Sequence, residues 1–336
     1  MRLIALLFGV ALPLIAAGCA GGGSEMKEIE LTEAQQRFKT RTTFKDGVVS
    51  IEARRLDGTV RTLNTANHYE AEWGLLLPTP LIPGFVSREW MLSENAYDGK
   101  TLLYTLVTWD NDNPADYLAA GWWLHAHPDL NLRDDLEEAE RGVFIDGPEF
   151  DLANPPELPA SGEATYVGTT GGLYEYEYGS AWGVLEGDSQ YIEFGADLTL
   201  TANFSDQTIR GCIGCAEDIE IRRGTHLYPA VNWRTPTPDA EPTDYEVHLG
   251  ATPFNPDGTF ESADITVTHP ERTVTQATGL WVGQFSNIPD PDGNPRQVVG
   301  FSDFGFEEAD GSNGSFVSIF SALTPATLRP DEGETP

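Results

Sequence analysis

From Val48 onward the chain repeatedly alternates apolar and polar residues over short runs, the two-residue period of half-buried β-strands. In the first half these runs are Val48 to Arg54, Thr59 to Leu63, Glu70 to Leu77, Leu102 to Trp109 and Gly121 to His125. Asp57-Gly58 and Asp98-Gly99 read as turns between them, and Pro78, Pro80 and Pro83 break the chain after the third. In the second half the runs are Ala164 to Gly168, Ala196 to Phe204, Asp244 to Ala251, Phe260 to Val267, Leu280 to Phe285, Gln297 to Phe304 and Ser315 to Ala322. Gly171-Gly172, Pro291 to Asn294 and Asp310 to Gly314 have the composition of turns joining them. Only two stretches read as helical: Thr32 to Arg41, with Thr32 as N-cap, and the acidic Asp134 to Arg141.

The pattern predicts an all-β protein. Pro148, Pro155, Pro156 and Pro159 mark a boundary. It divides a β-rich domain over 46–157 from an antiparallel β-barrel over 158–324, with an acidic, disordered tail over 325–336. A barrel of about eight strands is favoured over a sandwich because closure removes exposed strand edges.

One apolar run differs from all the others. Leu3 to Ala17 follows Arg2 and ends in Ala16-Ala17-Gly18-Cys19. It is too short for a membrane span, which takes about 20 apolar residues, and fits the core and small-residue cleavage site of an export signal. The junction resembles a bacterial lipobox with Ala16 where Leu is commoner, so residues 1–18 are read as a signal peptide and Cys19 as the lipidated residue. An ordinary signal peptide with a chance cysteine is the alternative. Ala20-Gly21-Gly22-Gly23-Ser24 opens a tether and polar linker over 19–45. The lipid anchor places the body at a membrane. Ala20, instead of the Asp associated with inner-membrane retention in enteric bacteria, points to the outer membrane.

Charge narrows the partners. The chain carries 53 acidic against 20 basic residues, a formal net charge of −33, and loss of Arg2 with the signal takes it to −34. Nucleic acid and anionic lipid faces are repelled by such a body, whereas cations or a basic partner are favoured. Only four of the 20 basic residues are Lys, which fits simple solubility in a salty habitat.

The second half resembles the barrel lobe of the transferrin-binding protein B family of surface lipoproteins. The residues that carry the resemblance are Gly162 to Gly168 running into Gly171 to Tyr174, and Leu198 to Phe204 followed by Ile209 to Gly214. Gly279 to Phe285 and Gly314 to Ala322 complete it. The resemblance covers residues 158–324 and implies a smaller "handle" domain before the barrel, here the segment containing Val107 to Pro114 and Gly121 to Leu124. It implies capture of a host or environmental ligand, a protein or an iron or haem source, beside an outer-membrane receptor, without catalysis. Transferrin binding itself is not implied, because this chain has one lobe. An envelope protein with a structural or adhesive role and no small ligand is the alternative.

The remaining motifs each have a plain reading and a chemical one. Cys212-Ile213-Gly214-Cys215 ends an alternating strand in a Gly-rich turn and is read as a short disulfide stiffening a hairpin. Two thiolates are too few for a structural zinc site, and no His stands at finger spacing. His125 and His127 share one face of a strand beside Trp122 and Trp123, an arrangement suited to a metal or haem iron. Pro128 ends that strand at once, so solvent-exposed histidines are the favoured reading. Asp110 with Asp112, and Asp290 with Asp292, offer alternating oxygen ligands of the kind Ca²⁺ takes. Neither continues as an EF-hand, and turn formation accounts for both. No cofactor is expected, with haem and Ca²⁺ as the alternatives. Nucleophile-elbow, phosphate-loop, zinc-protease and dinucleotide signatures are missing, and the expectation is a protein that is not an enzyme.

Overall fold

In the computed structural model the described residues are 41–54, 60–64, 69–70, 85–96, 99–126, 140–177, 189–216, 219–222 and 244–328. Strands dominate them, in three antiparallel sheets, as the alternation predicts. The first sheet is a meander of β1 (Arg41–Lys45), β2 (Val48–Arg54) and β3 (Val60–Asn64). Asp46 and Gly47 turn the first hairpin, both at positive φ (53° and 76°), the geometry that matches the twist of flanking strands. β1 thus lies inside the stretch read from sequence as linker. The candidate helix over 32–41 falls, apart from Arg41, outside the described residues.

The second sheet is another meander: β4 (Tyr69–Glu70), β5 (Phe85–Ala96), β6 (Gly99–Asp110), β7 (Tyr117–Ala126) and β8 (Glu140–Asp146). β5 lacks a clear strand pattern, because Ser87-Arg88-Glu89 and Ser93-Glu94-Asn95 dilute its alternation; pairing with β6 along its whole length holds it extended. Glu140 and Arg141, read as helical, instead open β8, where they face His125 and Leu124 of β7. Local composition yields there to a neighbouring strand offering its unpaired backbone groups.

A ten-stranded sheet forms the rest: β9 (Glu163–Glu177), β10 (Ser189–Asn203), β11 (Thr208–Ile213), β12 (Glu220–Arg222), β13 (Glu246–Pro253), β14 (Thr259–Ser262), β15 (Ile265–Thr268), β16 (Val274–Phe285), β17 (Gln297–Glu308) and β18 (Asn313–Leu323). Nine follow the order β14-β16-β17-β18-β9-β10-β11-β13-β15, and β12 pairs with β10. β14 and β15 stand at opposite ends of that order yet are joined by only Ala263 and Asp264. The chain itself therefore brings the two edges together into a nearly closed barrel, with nine strands where about eight were expected. β18 pairs with β9 from Asn313↔Glu177 to Leu323↔Val167. A four-residue helix, Pro325–Leu328, follows β18, so the stretch read as disordered tail begins with ordered structure.

Gly171 and Gly172 are not a turn. They lie mid-way along the 15-residue β9, paired with Gly195 and Phe194 on one side and with Ile319 and Ser318 on the other. A Cβ on Gly172 would stand 2.1 Å from the Val317 carbonyl oxygen, so glycine here permits close strand approach and does not reverse the chain.

Alternate residues of the barrel strands point inward and form one buried cluster, among them Tyr166, Tyr174, Phe194, Trp281, Phe285 and Phe316. The two N-terminal sheets share a second cluster, with Val49 and Ile51 against Trp90, Val107, Trp123 and Phe144. Across it, the Thr42 backbone N–H and hydroxyl both donate to Asp146 Oδ2 at 3.0 Å, and the Tyr117 hydroxyl donates to the Thr42 carbonyl at 3.1 Å. Leu118 and Phe150 pack on Val299 of β17, so residues from both sides of the Pro-rich segment belong to one compact unit, Leu31–Pro336.

Candidate functional site

Three polar arrangements stand out against this apolar frame. The first is inside the barrel wall. Glu308 at the end of β17 accepts from the Tyr176 hydroxyl (2.8 Å) and the Tyr245 hydroxyl (2.5 Å), and Arg272 Nη1 donates to the same carboxylate at 2.9 Å and to the Tyr176 oxygen. Burial, with Glu308 adding to it, pushes the Tyr176 phenol up to about 12 and raises Tyr245 as well. Both phenols therefore stay protonated and act as donors. The Glu308 carboxylate is thereby paired and hydrogen-bonded, as a buried carboxylate must be.

A second arrangement joins the N-terminal sheets to the barrel. Arg296 meets Glu149 through two parallel bonds, Nη2 to Oε1 at 2.7 Å and Nε to Oε2 at 2.9 Å, and lies 3.3 Å from Asp116 Oδ2. Ser286 also donates to Glu149, and the guanidinium sits 5.7 Å from the Phe85 ring centre. The planar fork of arginine suits this paired geometry. Asp116 is the strained member: burial and the neighbouring Glu149 raise its pKa, and Arg296 only partly offsets them.

The third arrangement is on the outer wall. β11 and β13 are neighbours, and their register sets Cys212 opposite His248. Alternation turns Ile209, Ile213, Val247 and Leu249 into the core and leaves Cys212 half-buried and His248 exposed. Gly214 then reverses the chain with φ 71°, where a Cβ would also stand 2.8 Å from the Tyr245 carbonyl oxygen. The reversal folds Cys215 back onto Cys212, and the two are joined in a disulfide with Cα atoms 5.9 Å apart. His248 Nδ1 lies 3.5 Å from Cys212 Sγ, and its Nε2 lies 3.4 Å from Glu246 Oε2. Among the described residues this is the one grouping of three or more His, Cys, Asp or Glu ligand atoms, all within 4.8 Å of one another. Sequence spacing could not find His248, because it lies 36 positions after Cys212 on another strand and only the β11–β13 register closes the gap.

The other residues singled out in the sequence are not brought together. His125 lies in β7 opposite Thr101 and Glu140, while His127 is outside the described residues, as is Cys19. Trp122 and Trp123 are buried in the protein core and are not presented to a ligand face. Asp110 Oδ1 accepts from the Asp112 backbone N–H at 2.8 Å, and Asp290 Oδ1 accepts from the N–H groups of Asp292 (2.9 Å) and Asn294 (2.8 Å). Both acidic clusters thus close their own turns. On the outside of β9, β16, β17 and β18 a shallow concavity of about 610 Å³ is lined by Glu175, Glu177 and Glu307. Two of these accept from neighbours, Glu177 from Asn313 at 3.1 Å and Glu175 from Ser315 at 3.4 Å.

No protein-family model and no curated protein matches the chain. Among solved structures it is similar to intact Ap-TbpB (N and C lobes), with a TM-score of 0.37 and 8% identity over 82% of this chain and 43% of that one. It is also similar to the apo haemoglobin receptor HpuA from Kingella denitrificans, with a TM-score of 0.33 and 13% identity over 89% of this chain and 92% of that one. The chain thus spans less than half the length of the first. Likeness at this level carries no ligand and no site residue across.

Proposed function

We propose that the protein is an outer-membrane surface lipoprotein, anchored through Cys19, that captures a protein or haem-type ligand on its exterior for nutrient uptake and catalyses no reaction. The observation that carries this reading is the filled barrel: its inward faces meet in one aromatic cluster, so recognition falls to the outer wall and the connecting loops. The lipobox-like Ala16-Ala17-Gly18-Cys19 and the barrel motifs of the second half support it from the sequence side. The fork between Arg296 and Glu149 adds a firm joint between the N-terminal sheets and the barrel, as a presenting body requires.

The test is a pull-down from ligand-rich fluid with the processed protein, followed by an absorbance scan of what is retained. A specific protein partner or a Soret band is the expected result. Folded protein that retains nothing, together with a cell-attachment defect on deletion, turns the reading to a structural or adhesive envelope role.

A further inference from the structure

The outer-wall cluster of Cys212, Cys215 and His248 has the composition and the spacing of a thiolate–imidazole metal centre. For a tetrahedral Zn²⁺ with bonds of about 2.3 Å to sulfur and about 2.0 Å to nitrogen, the sulfur–nitrogen edge is about 3.5 Å. Cys212 Sγ and His248 Nδ1 already stand 3.5 Å apart. The corresponding sulfur–sulfur edge is about 3.8 Å, so the two cysteine sulfurs have to separate. Their Cα separation of 5.9 Å leaves room for that. Glu246 faces the far nitrogen of the same ring, an arrangement that holds the proton on Nε2 and turns the Nδ1 lone pair toward the sulfurs.

Backbone contacts independent of the disulfide also hold the turn. Gly214 N–H donates to the Asp197 carbonyl at 3.1 Å and Ala216 N–H to Asp197 Oδ2 at 3.2 Å. Ile213 stays paired between Leu198 of β10 and Val247 of β13. All three ligand residues are at least partly exposed, so an ion and a completing water have access. The net charge of −33 draws cations toward the surface.

We propose that Cys212, Cys215 and His248 form a redox-gated site for a thiophilic d¹⁰ cation of the Zn²⁺ class, closed as the disulfide and opened by a dithiol reductant. In the opening step a reductant thiolate attacks one sulfur, and its second thiol resolves the mixed disulfide. The reductant leaves oxidised and this chain carries two thiols. The metal then displaces two thiol protons, takes two sulfurs and Nδ1, and keeps a water in the fourth position.

The processed full chain, reduced with a phosphine that leaves as its oxide, is titrated with Co²⁺ as a spectroscopic probe and then with Zn²⁺. The expected result is one ion per chain, a near-ultraviolet sulfur-to-cobalt charge-transfer band and its loss on adding Zn²⁺. Unreduced protein gives no band. His248→Ala lowers Zn²⁺ affinity by about tenfold or more, and Glu246→Gln lowers it less. Cys212→Ser abolishes the band with circular dichroism unchanged. No charge-transfer band in the folded, reduced protein, or a His248→Ala variant with wild-type spectrum and affinity, overturns the proposal.

Discussion

Arg296 shows how a single side chain can join parts of a chain that are distant in sequence. Its fork on Glu149 leaves that carboxylate's side chain 3% exposed, and Asp116 competes for the same guanidinium. The two acids should therefore respond oppositely to neutralisation. Glu149→Ala leaves the partly buried Arg296 with Asp116 as its remaining acid partner and is expected to cost about 3 kcal/mol in denaturant unfolding. Asp116 has a folded pKa raised above its ordinary value, so the proton it binds stabilises the fold at low pH, and that contribution is lost as pH rises through the raised value. Asp116→Asn is thus expected to melt at or above the wild-type temperature at pH 7. The gain shrinks as pH falls toward the ordinary aspartate range near 4. A clear loss of stability in Asp116→Asn at pH 7 contradicts the assignment. None of this pairing was legible in the sequence, where Asp116, Glu149 and Arg296 are three charges among many.

Among the elements, β9 is the most informative. Its Gly171-Gly172 pair has turn composition, yet the strand runs straight through with β10 on one side and β18 on the other. Gly172→Val puts side-chain atoms against the Val317 carbonyl and is expected to destabilise by about 2 kcal/mol or more, read as a lower denaturant midpoint. At the β1–β2 hairpin the demand is different, since Gly47 has nothing within 4 Å of a would-be Cβ and only its φ of 76° favours glycine. Gly47→Ala is accordingly expected to cost about 1 kcal/mol, without a change in the barrel. Strong period-two runs such as Ala196 to Phe204 and Gln297 to Phe304 were readable as strands because their pattern records which face is buried. β5 and the opening of β8 were not, because their extension comes from the neighbouring strand.

For the molecule as a whole, anchoring and capture are separable properties. Cys19→Ser is expected to release the body from the membrane fraction or leave it unprocessed, as judged by fractionation and mass. Normal processing and anchoring of that variant contradicts lipidation at Cys19, whatever the ligand proves to be. Because the barrel interior is packed with aromatic side chains, ligand capture is expected to be sensitive to outer-wall and loop substitutions. Conservative core exchanges such as Phe316→Leu should lower the melting temperature while leaving binding by the folded protein unchanged.

The sequence by itself determined the all-β class, most of the barrel strands, the acidic surface and the lipobox-like start, because each is written locally in alternation, composition or a contiguous motif. Only the tertiary structure decided the strand order that closes β14 toward β15, the Arg296 joint, and the meeting of Cys212 and Cys215 with His248. Those depend on register between strands far apart in the chain. Register is chosen by the packing of whole faces, so no local spacing records it.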